Sequence, residues 1–200
     1  MKNVIFDVGR VLINWDINPV FMDLLGDQSS IDKFIDHVDF FSWNLSMDNG
    51  RTCADAVAGH SALFPKYAHV FEQFDKRWPE TVPTSIKHSV DILARLKQNK
   101  IPTYAITNFS AEKWPIACEI YPFLGTSFID TIVSGEVKLI KPGKEIFELL
   151  LSRNNLRAQD CIFIDDSQPN VDAANALGIN GLLFTSSEQF ERDLIERGVL

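Results

Sequence analysis

Val4-Ile5-Phe6-Asp7 begins the pattern that decides the fold, a short apolar run that ends in a polar side chain. The pattern returns at Thr103-Tyr104-Ala105-Ile106-Thr107-Asn108 and at Cys161-Ile162-Phe163-Ile164-Asp165-Asp166. Each run is rich in β-forming residues and too short for a helix, and uninterrupted apolar runs are typical of parallel strands covered on both faces. Two further strands are predicted near 130–134 and 181–184.

Helical patterns lie between these strands. Apolar residues recur at helical spacing over 85–98 and 144–153, and a third helix over 168–177 carries Pro169 in its first turn and Gly178 just after its end. Strands that alternate with helices predict an α/β fold with a doubly wound, Rossmann-like parallel sheet. Ligands of such sheets bind at the carboxyl ends of the strands, so the polar strand ends should converge on one site.

The segment between the first and second strands is far longer than a crossover helix needs. It contains several short helical patterns, of which the clearest are 31–38, 53–63 and 67–78. We therefore predict an inserted helical cap over 15–83 and a catalytic core made of 1–14 and 84–200. Short hinges near Asn14 and Pro83 would join the two parts, because the sequence has no Gly/Ser-rich linker there.

Composition and charge exclude several classes of function. The chain has 200 residues, 46% of them hydrophobic, and a net charge of −8. This is the composition of an ordinary globular protein, and the acidic balance argues against nucleic acid or an anionic membrane as partner. A small anionic substrate stays possible because local charge decides its binding. The sequence does not decide between a monomer and a homodimer.

The cysteines and the start of the chain indicate a cytoplasmic protein. The three cysteines, Cys53, Cys118 and Cys161, are far apart and show no zinc-site spacing, so they are expected to be reduced thiols. The first residues lead directly into an apolar strand, which gives no sign of a signal peptide. No apolar run approaches the roughly 20 residues of a membrane span.

Adjacent carboxylates at a strand end are the strongest chemical signal. Asp165 and Asp166 would repel each other without a nearby cation, and oxygen ligands of this kind suit magnesium. Their ordinary role would be to cap the following helix. Thr107-Asn108 offers hydroxyl, amide and backbone N–H donors to an oxyanion, or else forms a simple turn. Lys141 either points inward, towards a phosphate oxygen and a carboxylate, or is solvated.

Four stretches agree in order and strand placement with one known family. They are Val4–Leu12, Ile106–Asn108, Ile140–Pro142 and Phe163–Val171, the last followed by Ala173-Ala174 and Leu177-Gly178. Together they resemble the haloacid dehalogenase (HAD) superfamily of hydrolases with a helical cap inserted after the first strand. The resemblance covers nearly the whole core, and the four motifs are highly specific as a set.

The resemblance implies a phosphatase that works through an aspartyl-phosphate. Asp7 would attack phosphorus, and water would later hydrolyse the covalent intermediate. A magnesium ion would be held by Asp7, by the backbone carbonyl of Gly9 and by Asp166, with Asp165 acting through a water molecule. The implied substrate is a small phosphorylated metabolite, such as a sugar phosphate.

The phosphate itself would be held by three other residues of the motifs. Thr107 and the backbone of Asn108 would bind phosphoryl oxygens. Lys141 would offset charge on the phosphoryl group and orient Asp7. Phosphoryl transfer depends mainly on positioning and charge stabilisation, and this set of residues can supply both.

One position departs from the family pattern. Most phosphatases of the family carry a second aspartate two residues after the nucleophile, which protonates the leaving alcohol and then activates water. Here that position is Gly9, and positioned acid–base catalysis typically contributes about 10²- to 10⁴-fold. A water, a substrate group or a cap residue would have to take its place. Arg10, the next residue, either reaches the phosphate or the cap, or is solvated.

Two stretches of the predicted cap stand out, Trp43-Asn44 and Asp48-Asn49-Gly50-Arg51-Thr52. Gly50 suits a turn, and Thr52 is a plausible N-cap for a helix beginning at Cys53. Arg51 either faces the active site and binds a second part of the substrate, or lies at the surface. Trp43 is either a platform for substrate or part of the packing.

Two other functions stay open. A 2-haloacid dehalogenase also uses the strand-end aspartate, but on carbon and without metal, so it would not need both Asp165 and Asp166. A phosphometabolite-binding protein with little turnover would account for Gly9. Metal-dependent release of phosphate, metal-independent release of halide, and tight binding without turnover would separate the three functions.

Overall fold

A computed structural model describes residues 2–200 of the chain. It contains one parallel sheet of five strands in the order β3-β2-β1-β4-β5. The strands are β1 (Asn3–Phe6), β2 (Thr103–Thr107), β3 (Thr131–Val133), β4 (Cys161–Asp165) and β5 (Asn180–Leu183). The α/β fold class and all five strands predicted from the apolar runs are confirmed.

Helices cover both faces of the sheet, as the doubly wound prediction requires. Alternate residues of β1 belong to two different hydrophobic clusters. Val4 and Phe6 pack in a cluster with one pair of helices, and Ile5 packs in a second cluster with the other pair. The first pair is α6 (Lys87–Gln98) and α12 (Ser187–Glu196), and the second is α10 (Lys144–Arg153) and α11 (Gln168–Ala176). Short helices α7 (Trp114–Ile120), α8 (Phe123–Thr126) and α9 (Ser134–Val137) follow β2 and β3.

The segment between β1 and α6 is helical. It holds α1 (Asn18–Leu25), α2 (Gln28–Val38), α3 (Phe40–Asp48), α4 (Cys53–Leu63) and α5 (Ala68–Lys76), with 3₁₀ turns at Pro65–Tyr67 and Trp78–Thr81. The expected helix over 67–78 is shorter than predicted, because the chain turns through these 3₁₀ segments at both ends. Thr52 caps α4 as expected, since its side chain accepts a hydrogen bond from the Asp55 N–H.

Helix α3 was not among the clear sequence patterns, and its composition explains this. Phe41, Trp43, Leu45 and Met47 alternate with polar residues, which is a strand-like period. Trp43 and Met47 are buried, while Phe41 and Leu45 remain exposed. Contacts with neighbouring cap helices therefore outweigh the local pattern.

Two linkers join this helical segment to the sheet, and they hydrogen-bond to each other. The Asn14 N–H donates to the Thr84 carbonyl at 2.9 Å, and the Asn14 Nδ2 donates to the Thr84 Oγ1 at 2.7 Å. Ile13 also forms an antiparallel bridge with Ser85. We propose that the boundary between cap and core falls at these paired linkers. None of the helices within 2–200 combines the length and apolarity needed to cross a membrane.

Candidate active site

The sheet register brings the polar strand ends together. Phe6 pairs with Ala105 on one side and Ile164 on the other, so Asp7 lies next to the ends of both β2 and β4. The Asp7 N–H donates to the Ile164 carbonyl at 2.9 Å, which extends the ladder by one residue. Asp7 opens into a cavity of about 290 Å³ that lies between these strand ends and the cap.

Lys141 is the centre of the charged cluster. Its Nζ lies 2.8 Å from Asp7 Oδ1 and 2.7 Å from Asp165 Oδ2, and it donates to the Ile106 carbonyl at 2.9 Å. The side chain is buried, so the solvated alternative is excluded. Burial opposes the charge, but the two carboxylates outweigh it and hold the pKa of Lys141 above its usual range.

Asp165 is fully buried, and protein donors occupy its carboxylate. Besides the Lys141 contact, it accepts hydrogen bonds from the Ser167 N–H at 2.8 Å and from Asn170 Nδ2 at 2.9 Å. Ser167, not Asp165, is the N-cap residue of α11. Asp165 therefore holds Lys141 and the start of α11 in place.

Three carboxylates face one another beside this lysine. Asp7, Asp165 and Asp166 each present an oxygen, and these oxygens all lie within 4.8 Å of one another. Burial raises the pKa of Asp7 to about 7, a shift that the charge of Lys141 opposes and that of Asp165 supports. Burial and then Asp165 also raise the pKa of Asp166. One lysine does not neutralise three crowded carboxylates, so the donor set fits a hard divalent cation.

The predicted phosphate-binding residues lie around the same cavity. Thr107 is buried at the end of β2 and lines the cavity together with Asn108 and Lys141. The Asn108 side chain has a second role that the sequence did not reveal. Its Nδ2 donates to the Lys141 carbonyl at 3.0 Å, and its Oδ1 accepts from the Lys141 N–H at 2.8 Å.

Gly9 and Arg10 form the rim beside Asp7. Gly9 lies outside the left-handed region, and a Cβ built on it meets no atom of the described residues within 4 Å. Arg10 has a φ of 59°, and its guanidinium lies 5.3 Å from the Trp15 ring centre. Its Nη1 is 3.9 Å from Asp166 Oδ2, with the Arg10 side chain 57% exposed. Arg10 therefore borders the site with an exposed guanidinium that lies near both Asp166 and Trp15, a residue of the predicted cap.

The two cap candidates are placed differently. Trp43 is buried and donates from Nε1 to the Ala56 carbonyl at 2.9 Å, but it also lines the cavity. Trp43 thus contributes both to the packing of the helical segment and to the wall of the cavity. Arg51 is exposed and donates from Nη2 to the Asp55 carbonyl at 2.7 Å, and it is not among the residues of the cavity wall. The structure therefore does not bring Arg51 to the site.

Sequence patterns missed most of the cavity's far wall. This wall is mainly apolar and aromatic, and its members come from the linkers, the cap and the loop after β2: Ile13, Trp15, Met47, Phe74, Trp78, Val82 and Phe109. Asp48, Asp75 and Lys113 add charge to it. No local signal separates these aromatic residues from ordinary core residues, because only the tertiary fold leaves one side of each uncovered.

Comparisons with known proteins agree with this geometry. The family model for haloacid dehalogenase-like hydrolases matches residues 1–178. A sesquiterpene phosphatase from Aspergillus oryzae is 28% identical over 188 residues, which cover 93% of this chain and 91% of the relative. A drimenol cyclase from Aspergillus calidoustus is 21% identical over 97% of this chain, but the match spans only 36% of that protein.

A solved structure shows the same likeness. A HAD family enzyme from Bacteroides thetaiotaomicron superposes with a TM-score of 0.77 at 27% identity, covering 95% of this chain and 98% of that one. The same enzyme in complex with magnesium and inorganic phosphate superposes with a TM-score of 0.73 at 27% identity, covering 92% and 93%.

Proposed function

The chain belongs to the haloacid dehalogenase-like hydrolase family, and from that premise we propose that it is a magnesium-dependent phosphatase of small phosphate monoesters. One observation carries the proposal. Lys141 is buried between Asp7 and Asp165, and Asp166 lies beside them. This arrangement can hold the Asp7 carboxylate in position as a nucleophile, and its positive charge can also bind a dianionic phosphoryl group.

In the proposed mechanism, Asp7 attacks phosphorus and becomes the aspartyl-phosphate, which water later hydrolyses. Lys141 keeps Asp7 oriented and offsets the negative charge of the phosphoryl oxygens. The Thr107 hydroxyl and the Asn108 backbone N–H donate to those oxygens. Asp165 acts on Lys141, so we propose it as a positioning residue.

Asp7, Asp166 and the Gly9 carbonyl would hold magnesium. The bound ion would neutralise charge on the phosphoryl oxygens and on the crowded carboxylates. The crystallised relative with magnesium and inorganic phosphate supports this choice of cofactor.

The aromatic wall bears on the substrate. Away from the phosphate end, aromatic and aliphatic side chains make up most of the cavity wall, with polar groups such as Asn44, Asp48 and Lys113 among them. An apolar leaving group gains from burial against this wall at about 25 cal/mol per Å², a gain that a bare sugar does not have. We propose that the substrate is a phosphate ester with an apolar or aromatic portion. The sesquiterpene phosphatase relative supports this class.

A panel of phosphate esters tests both parts of the proposal. Phosphate release should require magnesium and should be lost in Asp7→Asn, and acid quenching should trap phosphate on the wild-type protein alone. Aryl and terpenyl phosphates should show higher kcat/KM than hexose phosphates. Halide release from a 2-haloacid without metal would replace the proposal with dehalogenation. Tight binding of phosphate esters without turnover would indicate a binding protein.

A further inference from the structure

The leaving alcohol needs a proton that Gly9 cannot supply. Among residues 2–200, two carboxyl groups line the cavity outside the Lys141 cluster, Asp48 and Asp75. Asp75 is already engaged, since its Oδ1 lies 2.5 Å from the Nζ of Lys113, and that Nζ also donates to the Asp75 carbonyl at 2.9 Å. The Asp75 carboxylate is therefore committed to its ion pair with Lys113, whose side chain is only 12% exposed.

Asp48 is the carboxyl group without a cation. It is the last residue of α3, and within the described chain no lysine, arginine or histidine nitrogen lies within 4.0 Å of its oxygens. Asn44, one turn earlier, donates from Nδ2 to Asp48 Oδ2 at a long 3.3 Å. Asp48 lines the cavity, and this long contact is the one side-chain hydrogen bond of its carboxylate among the described residues, so the group is available to exchange a proton with a ligand.

The end of α3 is fastened to the loop that would hold the phosphate. Ser134 Oγ donates to the Asp48 carbonyl at 2.5 Å and accepts from the Phe109 N–H at 2.8 Å. Asp48 and Ser110, which lies three residues after Thr107, line the same cavity, so the end of α3 meets the loop after β2 there.

We propose that Asp48 is the general acid and general base of this hydrolase, in the role for which Gly9 has no side chain. The proposal rests on the proposed phosphatase function. In the first step the Asp7 oxygen bonds to phosphorus, the bond from phosphorus to the ester oxygen breaks, and the Asp48 carboxyl gives its proton to that oxygen. In the second step the Asp48 carboxylate takes a proton from water, whose oxygen bonds to phosphorus and releases phosphate from Asp7.

The protonation of Asp48 is compatible with this role. Burial raises the pKa of Asp48 to about 7, and the Ser110 amide opposes the shift. Both forms are then present near neutral pH, as a group that acts first as acid and then as base requires.

Charged groups on the neighbouring segments are engaged elsewhere or face outward. Lys113 is paired with Asp75, and Glu112 accepts from the Cys53 N–H at 3.0 Å. The Lys138 stem packs against Gly50, and Glu136 is exposed on α9. The titration of Asp48 is thus governed mainly by its burial.

The test compares Asp48→Asn with the wild type over a series of magnesium-dependent phosphate esters, from nitrophenyl to simple alkyl. The matched control is Asp36→Asn, an exposed aspartate on α2 outside the cavity. For alkyl esters, kcat/KM should fall by about 10²-fold or more in Asp48→Asn. For nitrophenyl phosphate, whose leaving group needs no proton, kcat/KM should change by less than about 5-fold. Asp36→Asn should match the wild type throughout.

A second measurement reports the base step. If Asp48 also activates water, nitrophenol release by Asp48→Asn should begin with a burst of one equivalent per active site, followed by slow turnover. The retained kcat/KM for nitrophenyl phosphate shows at the same time that the variant is folded. An equal loss for every ester, or no loss for alkyl esters, would overturn the role of Asp48. No magnesium-dependent release from any ester by the wild type would overturn the phosphatase function itself.

Discussion

At the scale of single residues, surroundings decide what a side chain does. Lys141 in the sequence is one lysine before a proline, and its type alone does not separate a solvated from a catalytic role. In the structure it is buried with two carboxylates and a carbonyl as partners. The motif singles out the residue, and only the fold shows that its partners are Asp7 and Asp165.

Replacing Lys141 by glutamine should expose the repulsion that the lysine now offsets. Asp7 and Asp165 would then face each other without a cation, and breaking a buried pair typically costs about 3–5 kcal/mol. The loss of unfolding free energy should be large at pH 8 and smaller at pH 5, because Asp7, whose pKa is about 7 with the lysine present and rises further without it, takes up a proton as the pH falls. Urea unfolding of wild type and Lys141→Gln, both metal-free, at both pH values measures this loss of unfolding free energy.

Lys144→Gln is the matched control, since Lys144 is exposed at the start of α10 and pairs only with Glu148 at 3.5 Å. It should change stability by less than about 1 kcal/mol at either pH. An equal loss for Lys141→Gln at pH 5 and pH 8 would show that repulsion between the carboxylates is not the cause.

Gly9 permits a direct test of the missing acid. Because its backbone is outside the left-handed region and a Cβ there meets no described atom within 4 Å, Gly9→Asp should fold with nearly unchanged stability. In the Asp48→Asn background it should restore part of the lost kcat/KM for alkyl phosphates, by about 10-fold or more. Gly9→Asn in the same background should restore nothing, because an amide cannot give up the proton.

At the scale of elements, loops that are distant in sequence determine the site. Strands and core helices were predictable because they carry continuous or periodic apolar runs, and the observed β4 and α10 match those runs closely. The wall formed by α3, α5 and the linkers was not predictable, because their apolar residues face both the core and the cavity. Asp48 itself lies in a stretch that stood out for its turn residues, but nothing local indicates its burial.

Asn108 joins two such loops, and its replacement should loosen Lys141. The Asn108 side chain both donates to and accepts from the Lys141 backbone, so Asn108→Asp keeps the acceptor and loses the donor. The change should lower stability by about 1–2 kcal/mol and reduce kcat more than it changes KM. Asn180→Asp, which removes an amide donor to the Cys161 carbonyl outside the cavity, is the control. Equal kcat in wild type and Asn108→Asp would mean that Lys141 is positioned without this clamp.

At the scale of the whole molecule, the cap closes over strand ends that carry excess negative charge. The cap contributes the apolar wall, and the sheet contributes the carboxylates and Lys141. We propose that the helical segment 15–83 acts as this cap, because an insertion after β1 must lie at the carboxyl edge of the sheet. The size and polarity of the enclosed cavity depend on how the cap helices pack, which no single segment encodes.

Magnesium should therefore be coupled to the stability of the whole protein. The pKa of Asp166 is raised in the folded state, so its charge costs stability in metal-free protein once the pH exceeds the ordinary value of 3.8. Asp166→Asn removes that cost and should make the metal-free protein at pH 8 slightly more stable than the wild type. Bound magnesium should make the wild type the more stable of the two. The wild type gains about 2.7 kcal/mol of unfolding free energy when free magnesium is about 100 times Kd, and the variant gains less because it has lost an anionic ligand. Thermal unfolding with chelator and with excess magnesium measures both differences in stability.

Asp172→Asn, at an exposed aspartate on α11, is the control and should respond to magnesium as the wild type does. An equal gain from magnesium in Asp166→Asn and in the wild type would remove Asp166 from the set of metal ligands and leave Asp7 and the Gly9 carbonyl to account for the site.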